Sequence, residues 1–205
     1  MAERVTPDAG VLSPGREVDI RWSEVLRGVR TLRAGQRVLV HAAAGGVGHL
    51  AVQFAKHLGA EVVATARESR HAWLKELGAD ETVDYSVQRF EDVTGDIDVV
   101  LDLIGAQDDT DIRSVSVTRP GGLVISIPGG VSERLAKVAG QAGVRTSPFL
   151  VEPDSAALTT IAGLIDSGKV GVEVERTFAL EEVAEAHRLG ETNRTRGKLV
   201  LDLTD

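Results

Sequence analysis

The 205-residue sequence predicts an α/β fold built on a doubly wound parallel sheet. Three observations predict it. Short β-branched runs alternate regularly with stretches of helical period. One of these runs, Ile97–Leu103 (IDVVLDL), is almost wholly apolar, as a strand covered on both faces must be. The opening strand also leads into a helix through a bend, Ala42–Gly48, made of small residues apart from Val47.

The elements follow in order. Met1–Asp19 carries Pro7, Gly10, Pro14 and Gly15 and reads as an irregular arm. Ile20–Leu32 places Trp22, Val25, Leu26, Val29 and Leu32 at helical spacing, and Gly35 ends it, so residues 1–35 form an arm and a helix. Arg37–His41 is the first strand. Val47, Leu50, Ala51, Phe54 and Leu58 mark the next helix, which stops at Gly59 before a second strand, Glu61–Thr65. Glu68–Leu77 is a helix with Trp73, Leu74 and Leu77 turned inward, and Glu81–Tyr85 is a third strand. The apolar run Ile97–Leu103 is the fourth. A helix over Gln107–Val117 is stopped by Pro120 and Gly121, and Gly122–Ile127 is the fifth strand. Ser132 caps a helix over Glu133–Gln141, and Val144–Val151 is the sixth strand, closing a domain of residues 36–152.

Residues 153–205 form a small α/β extension. Its elements are a helix (Pro153–Ser167), a strand (Val172–Phe178), a helix with an acidic first turn (Leu180–Leu189) and a strand (Gly197–Leu203). They are expected to pack beside the main sheet without lengthening it.

Composition narrows the function. The net charge is −8, from 31 acidic and 23 basic residues with no basic block, which disfavours nucleic acid and anionic membranes as partners. The absence of cysteine removes disulfides, thiolate chemistry and cysteine-ligated zinc. With no basic-then-apolar leader and no apolar run near the length of a membrane span, a cytoplasmic protein is expected.

The bend after the first strand reads Ala43-x-Gly45-x-x-Gly48. A chain that turns tightly and approaches a pyrophosphate needs small side chains, and the phosphates then meet free N–H groups at the helix N-terminus. Strand, bend, helix and strand together make the first unit of a Rossmann dinucleotide-binding fold, against the plainer reading of a tight turn that binds nothing. Cofactor choice is read just past the second strand, where a carboxylate would hold the ribose 2′-OH of NAD. Here the residues are Thr65-Ala66-Arg67-Glu68-Ser69-Arg70. Arg67, Ser69 and Arg70 suit the 2′-phosphate of NADPH; the rival reading is a solvated helix start with exposed arginines.

Other candidates carry less. The five histidines, His41, His49, His57, His71 and His187, show no zinc-helix spacing. His41 ends the first strand beside the bend, where it either meets a cofactor or is simply packed. Asp102, at the tip of the fourth strand, is expected to orient the next loop by accepting backbone N–H bonds. Ser126 belongs to no nucleophile elbow. Asp108, Asp109 and Asp111 suit the acidic start of a helix and not a metal site.

The segments HAAAGGVGHLAVQFAKHLGAEVVATA, WLKELGADETVDY, DVVLDLIG, GGLVISIPGG and FALEEVAEAHRLGETNRTRGKLVLDL, in this order, resemble the zinc-independent quinone oxidoreductase branch of the medium-chain dehydrogenase/reductases. The resemblance runs from Leu32 to Leu203. It implies a six-stranded sheet of order 3-2-1-4-5-6 and a phosphate turn at Ala44, Gly45, Gly46, Val47 and Gly48. It also implies a 2′-phosphate site near Arg70 and Tyr85. Leu103, Ile104, Gly105, Ile127 and Pro128 would lie under the ribose and nicotinamide, Phe149, Leu150 and Val151 would run past the nicotinamide, and Lys198 belongs to the closing motif. Members of that family begin with a GroES-like, barrel-shaped catalytic domain, for which the 35 or so residues before the first strand are too few, so that domain is expected to be absent. A homodimer through the sixth strand, Val144 to Val151, is also implied.

The expected function is NADPH-dependent hydride transfer to a quinone, enone or similar conjugated carbonyl. Two alternatives stand beside it: a module or sensor that binds NADPH without turnover, and a tailoring enzyme that reuses the open crevice for another reaction. Fold alone does not choose among them.

Overall fold

The computed structural model describes residues 19–20, 32–148 and 153–203. After a two-residue strand β1 (Asp19–Ile20) come β2 (Arg37–Val40), α1 (Gly48–His57), β3 (Glu61–Thr65), α2 (His71–Glu76), β4 (Glu81–Val83) and β5 (Ile97–Asp102). The main domain continues with α3 (Thr110–Val117), β6 (Thr118–Ser126), α4 (Glu133–Gln141) and β7 (Arg145–Pro148). β8 (Pro153–Asp154), α5 (Ser155–Asp166), β9 (Val174–Ala179), α6 (Val183–Glu191) and β10 (Lys198–Asp202) complete the chain.

β2 to β7 form one parallel sheet of order β4-β3-β2-β5-β6-β7. Counting β2 as the first strand, this is the doubly wound order 3-2-1-4-5-6. It has a reversal between β2 and β5, where such folds open a crevice at the carboxyl ends of the strands.

Alternation along the strands builds two cores. Val38, Val40, Val62, Ala64 and Leu101 face α1 and α2, where they meet Ala51, Phe54, Ala55 and Leu74. Leu39, Val63, Val100 and Val124 face the other way, onto Val115 and Val117, with Leu135 and Ala139 of α4. Every one of these side chains is buried, so the sheet is covered on both faces.

Several boundaries differ from those expected from the sequence. Ile20 is extended, paired antiparallel with Pro153 in β1–β8, and does not begin a helix; the remainder of that expected helix up to residue 31 lies outside the described residues. Pro120 and Gly121 do not stop a helix ahead of the fifth strand but sit inside β6, which starts at Thr118. A register shift between Ile97 and Val99 opens the pairing there, so proline's missing N–H leaves no gap in the ladder. β4 ends at Val83 because Asp84 accepts from Ser86 N and Oγ, at 2.8 and 2.6 Å, and bends the chain. The expected helix over 107–117 is broken at Asp108 and Asp109, whose φ angles are 53° and 54°. Phe149–Val151 lie outside the described residues.

The C-terminal extension carries its own two-stranded sheet, in which β9 and β10 run parallel. Among the described residues no helix is long and apolar enough to cross a membrane.

Candidate functional site

The bend between β2 and α1 is pinned from below. Ala42 adopts φ 47°, and its N–H donates to Thr65 Oγ1 at 3.3 Å, while Ala43 N–H donates to the Thr65 carbonyl at 3.0 Å. Gly45 N–H then closes onto the Ala42 carbonyl at 3.0 Å. At Gly48 a Cβ would run into the Ala42 carbonyl oxygen and stand 2.6 Å from Ala43 Cα, so only glycine lets α1 start this close to β2.

With the bend folded, the amides of Gly46, Val47 and Gly48 have no acceptor among the described residues. α1 has no acid in its first turn and no side-chain cap. Its N-terminus thus presents free N–H groups and the positive end of the helix dipole.

Lys198, at the start of β10, lies over this bend. Its Cδ and Nζ are 3.2 and 3.3 Å from where a Cβ on Gly46 would stand. Lys198 is half-buried, and burial lowers the amine below the usual lysine range. The Gly197 carbonyl oxygen borders the same spot at 3.1 Å, and Gly197 N–H donates to the Ala44 carbonyl at 2.9 Å. The closing segment of the chain is therefore the roof of the turn.

His41 supports the floor. It is 1% exposed and lies edge-on to Phe90. Ser114 Oγ donates to the Thr110 carbonyl at 2.7 Å, so it accepts from His41 Nε2–H at 2.9 Å, and His41 Nδ1 accepts from Thr65 Oγ1 at 3.2 Å. Burial, reinforced by the Arg113 charge, pushes the imidazole down to about 3. His41 is a packed residue with both ring nitrogens engaged, buried beneath the bend.

Two loops meet at the carboxyl ends of β5 and β6. The Asp102 carboxylate accepts from the amides of Ile104 and Gly105, at 2.9 Å each, and from Ser126 Oγ at 3.3 Å, which is the orienting role expected of it. Burial raises its pKa, with the two amides acting in the opposite sense. Gly105 has φ 77°, and a Cβ there would stand 2.7 Å from the Pro128 carbonyl oxygen. Ile127 N–H donates to the Asp102 carbonyl at 3.0 Å. Leu103, Ile104, Gly105, Ile127 and Pro128 are thus brought together.

At the far end, Arg67 Nε donates to Tyr85 Oη at 3.3 Å, and both side chains are exposed, as is Ser69. Arg70 turns away. Its Nη2 donates to the Arg194 carbonyl at 3.2 Å and lies 3.6 Å from Glu175 Oε1, so its charge is shared with the extension.

The residues that couple the extension to α1 belong to no sequence motif. Gln53 Nε2 donates to the Gly171 carbonyl at 2.9 Å, and Gly171 N–H returns to Gln53 Oε1 at 2.7 Å. His49 bridges Gly45 and Glu173. Their only signal is polarity on the buried face of an apolar helix.

A family model for zinc-binding dehydrogenases matches residues 77–201. The chain belongs to the zinc-binding dehydrogenase family. It is 35% identical over 197 residues to a 2-haloacrylate reductase of a Burkholderia species, covering 86% of this chain and 58% of that protein. It is 36% identical over 178 residues to a chloroplastic NADPH-dependent alkenal/one oxidoreductase of Arabidopsis thaliana, covering 84% of this chain and 42% of that one. The quinone oxidoreductase structure from Coxiella burnetii superposes with a TM-score of 0.82 at 36% identity, covering 87% of this chain and 57% of that one. This zinc-binding dehydrogenase chain therefore aligns with the cofactor-binding half of quinone oxidoreductase-like members, and spans about half the length of its relatives. The metal in the family's name does not fit the residues here. The sequence has no cysteine, and among the described residues no three His, Asp or Glu side chains converge on one point.

Proposed function

We propose that this chain is the cofactor-binding half of an NADPH-dependent oxidoreductase that passes hydride to a quinone, enone or similar conjugated carbonyl. The observation that carries the reading is the set of open amides at Gly46–Gly48 beneath the Lys198 amine, a cradle for a diphosphate. The identity to haloacrylate and alkenal reductases, whose names specify conjugated substrates, supports the substrate class.

When bound, the nicotinamide supplies the hydride. The chain's own residues bind and orient it. Ala44, Gly45 and the three open amides would hold the diphosphate, with Lys198 as counter-charge. Arg67, Ser69 and Tyr85 would receive the 2′-phosphate, with Arg70 available once it leaves Glu175. Leu103–Gly105 and Ile127–Pro128 would support the ribose and nicotinamide. Orientation of this kind lowers the barrier by holding reacting atoms near contact distance.

Titration calorimetry with NADPH and NADH tests the binding, and loss of reduced-nicotinamide absorbance with a panel of quinones and enones tests turnover. NADPH binding at least about tenfold tighter than NADH binding is expected, from one charge-assisted contact to the 2′-phosphate. No heat from either dinucleotide would end the proposal. Tight binding without oxidation would reduce it to a binding module.

We also propose a homodimer that joins two copies through β7. Among the described residues β7 stands last in the sheet order, the edge position that a strand of a second copy would extend. Sedimentation at micromolar concentration should show a dimer, and a monomer there would rule the pairing out.

A further inference from the structure

His49 is fully buried on α1, and each ring nitrogen has one partner. Nδ1 lies 2.8 Å from the Gly45 carbonyl oxygen, an atom that only accepts, so Nδ1 carries the proton. Glu173 N–H points at Nε2 from 3.3 Å, so Nε2 is bare. The two bonds specify one neutral tautomer, and they join the phosphate turn to the strap that precedes β9. That strap holds the roof: Lys198 N–H donates to the Glu173 carbonyl at 2.8 Å, and the Glu173 carboxylate pairs with Arg196. The Trp73 ring of α2 stacks with His49 at 6.2 Å between centroids and has the Arg196 guanidinium over it at 5.3 Å.

We propose that His49 is a positioning residue for the phosphate site, tying Gly45 to Glu173 in its neutral Nδ1–H form and thereby setting the Lys198 amine over Gly46. This rests on the dinucleotide reading above and deepens it. A protonated ring would turn an N–H toward the Glu173 N–H, and donor against donor would push the strap away. The charged groups around the ring are Lys198 of β10, Glu173 of the strap and Arg196 beside it; Trp73 of α2 and Gln53 of α1 are neutral. Burial of the imidazole and the nearby Lys198 ammonium both oppose its protonation, and the Gly45 carbonyl and Glu173 oppose them in turn.

Three measurements test it on the whole chain. Nitrogen-15 spectra of the unliganded protein at pH 7 should show His49 protonated at Nδ1 alone; the other tautomer or an imidazolium overturns the proposal. Competitive acetylation should find the Lys198 amine of H49F shifted back toward ordinary lysine reactivity, and an unchanged amine overturns it. NADP⁺ calorimetry on a double-mutant cycle completes the set. H49F should weaken binding about tenfold in the native background and less than about twofold beside K198A. Equal losses in both backgrounds would make His49 merely structural and overturn the proposal. Should H49F fail to fold, H49Q, which can still accept from Glu173 N–H, replaces it and should retain the native Lys198 reactivity. Native protein that takes up no NADP⁺ sinks the dinucleotide reading alone, while the first two measurements still decide the role of His49.

Discussion

Single residues of this chain divide into those that shape the bend and those that charge it. Gly48 shapes it. A methyl group there has nowhere to go, because its neighbours are backbone atoms of Ala42 and Ala43 and not the end of a flexible chain. G48A should cost about 3 kcal/mol or more of stability, visible in urea unfolding, and a loss below about 1 kcal/mol would contradict this geometry. At Gly46 the neighbours include the Lys198 side chain, which can yield. G46A should fold normally and bind NADP⁺ more weakly. His41 sets a pH dependence. The unfolded chain binds a proton at this residue near 6.5, whereas the native state binds it only near 3. Its contribution is therefore fully present above pH 6.5 and is lost as pH falls from 6.5 toward 3. Between pH 7 and 5 this amounts to about 2 kcal/mol, with His49 acting in the same direction. Asp102, whose pKa is raised, opposes the loss only where its own carboxyl begins to protonate. Unfolding midpoints in urea at pH 7 and pH 5 check this, and equal midpoints would refute it.

Elements of the main domain were legible where hydrophobic period and caps agreed. β3 and α4 have the expected bounds, and Ser132 caps α4 as its position implies, accepting from Leu135 N–H at 3.1 Å. S132A should cost about 1 kcal/mol, and a melting temperature unchanged within a degree would deny the cap any weight. Two of the boundaries that differ, at Pro120 and Ile20, share one cause: each depends on a distant partner, whereas those at Asp84 and at Asp108–Asp109 are set by local turns. Pro120 sits within β6 because the ladder to β5 is locally out of register, and Ile20 is extended because it pairs with Pro153. Neither partner is near in sequence. The site shows the same division. The glycine pattern was visible because backbone sterics act over a few residues. His49 and Gln53 were not, because their partners Glu173 and Gly171 lie more than 110 positions away.

At the scale of the whole molecule, the extension is an active component of the site. It is fastened to α1 by the Gln53–Gly171 pair of bonds, to α2 by Arg196 over Trp73, and to the bend by Gly197. Q53A should loosen it as a unit. Hydrogen exchange should quicken across β9 and β10 while β2, β3 and β5 keep their protection, and faster exchange confined to α1 would argue against a joint clasp. Several apolar side chains of the extension, including Val172, Val174, Leu180 and Leu203, are more than a third exposed, in contrast to the double-sided core of the main sheet.

The sequence by itself determined the doubly wound sheet, the glycine bend and the family, since strand burial, helix period and the small residues of a tight turn are local demands that each segment must meet alone. Only the tertiary structure decided that Lys198 stands over Gly46 and that Arg70 is shared with Glu175. It also decided that His41 is sealed in the floor and His49 ties floor to roof. Which charge meets which carbonyl depends on where the extension lands, and that landing is set by contacts between segments far apart in the chain.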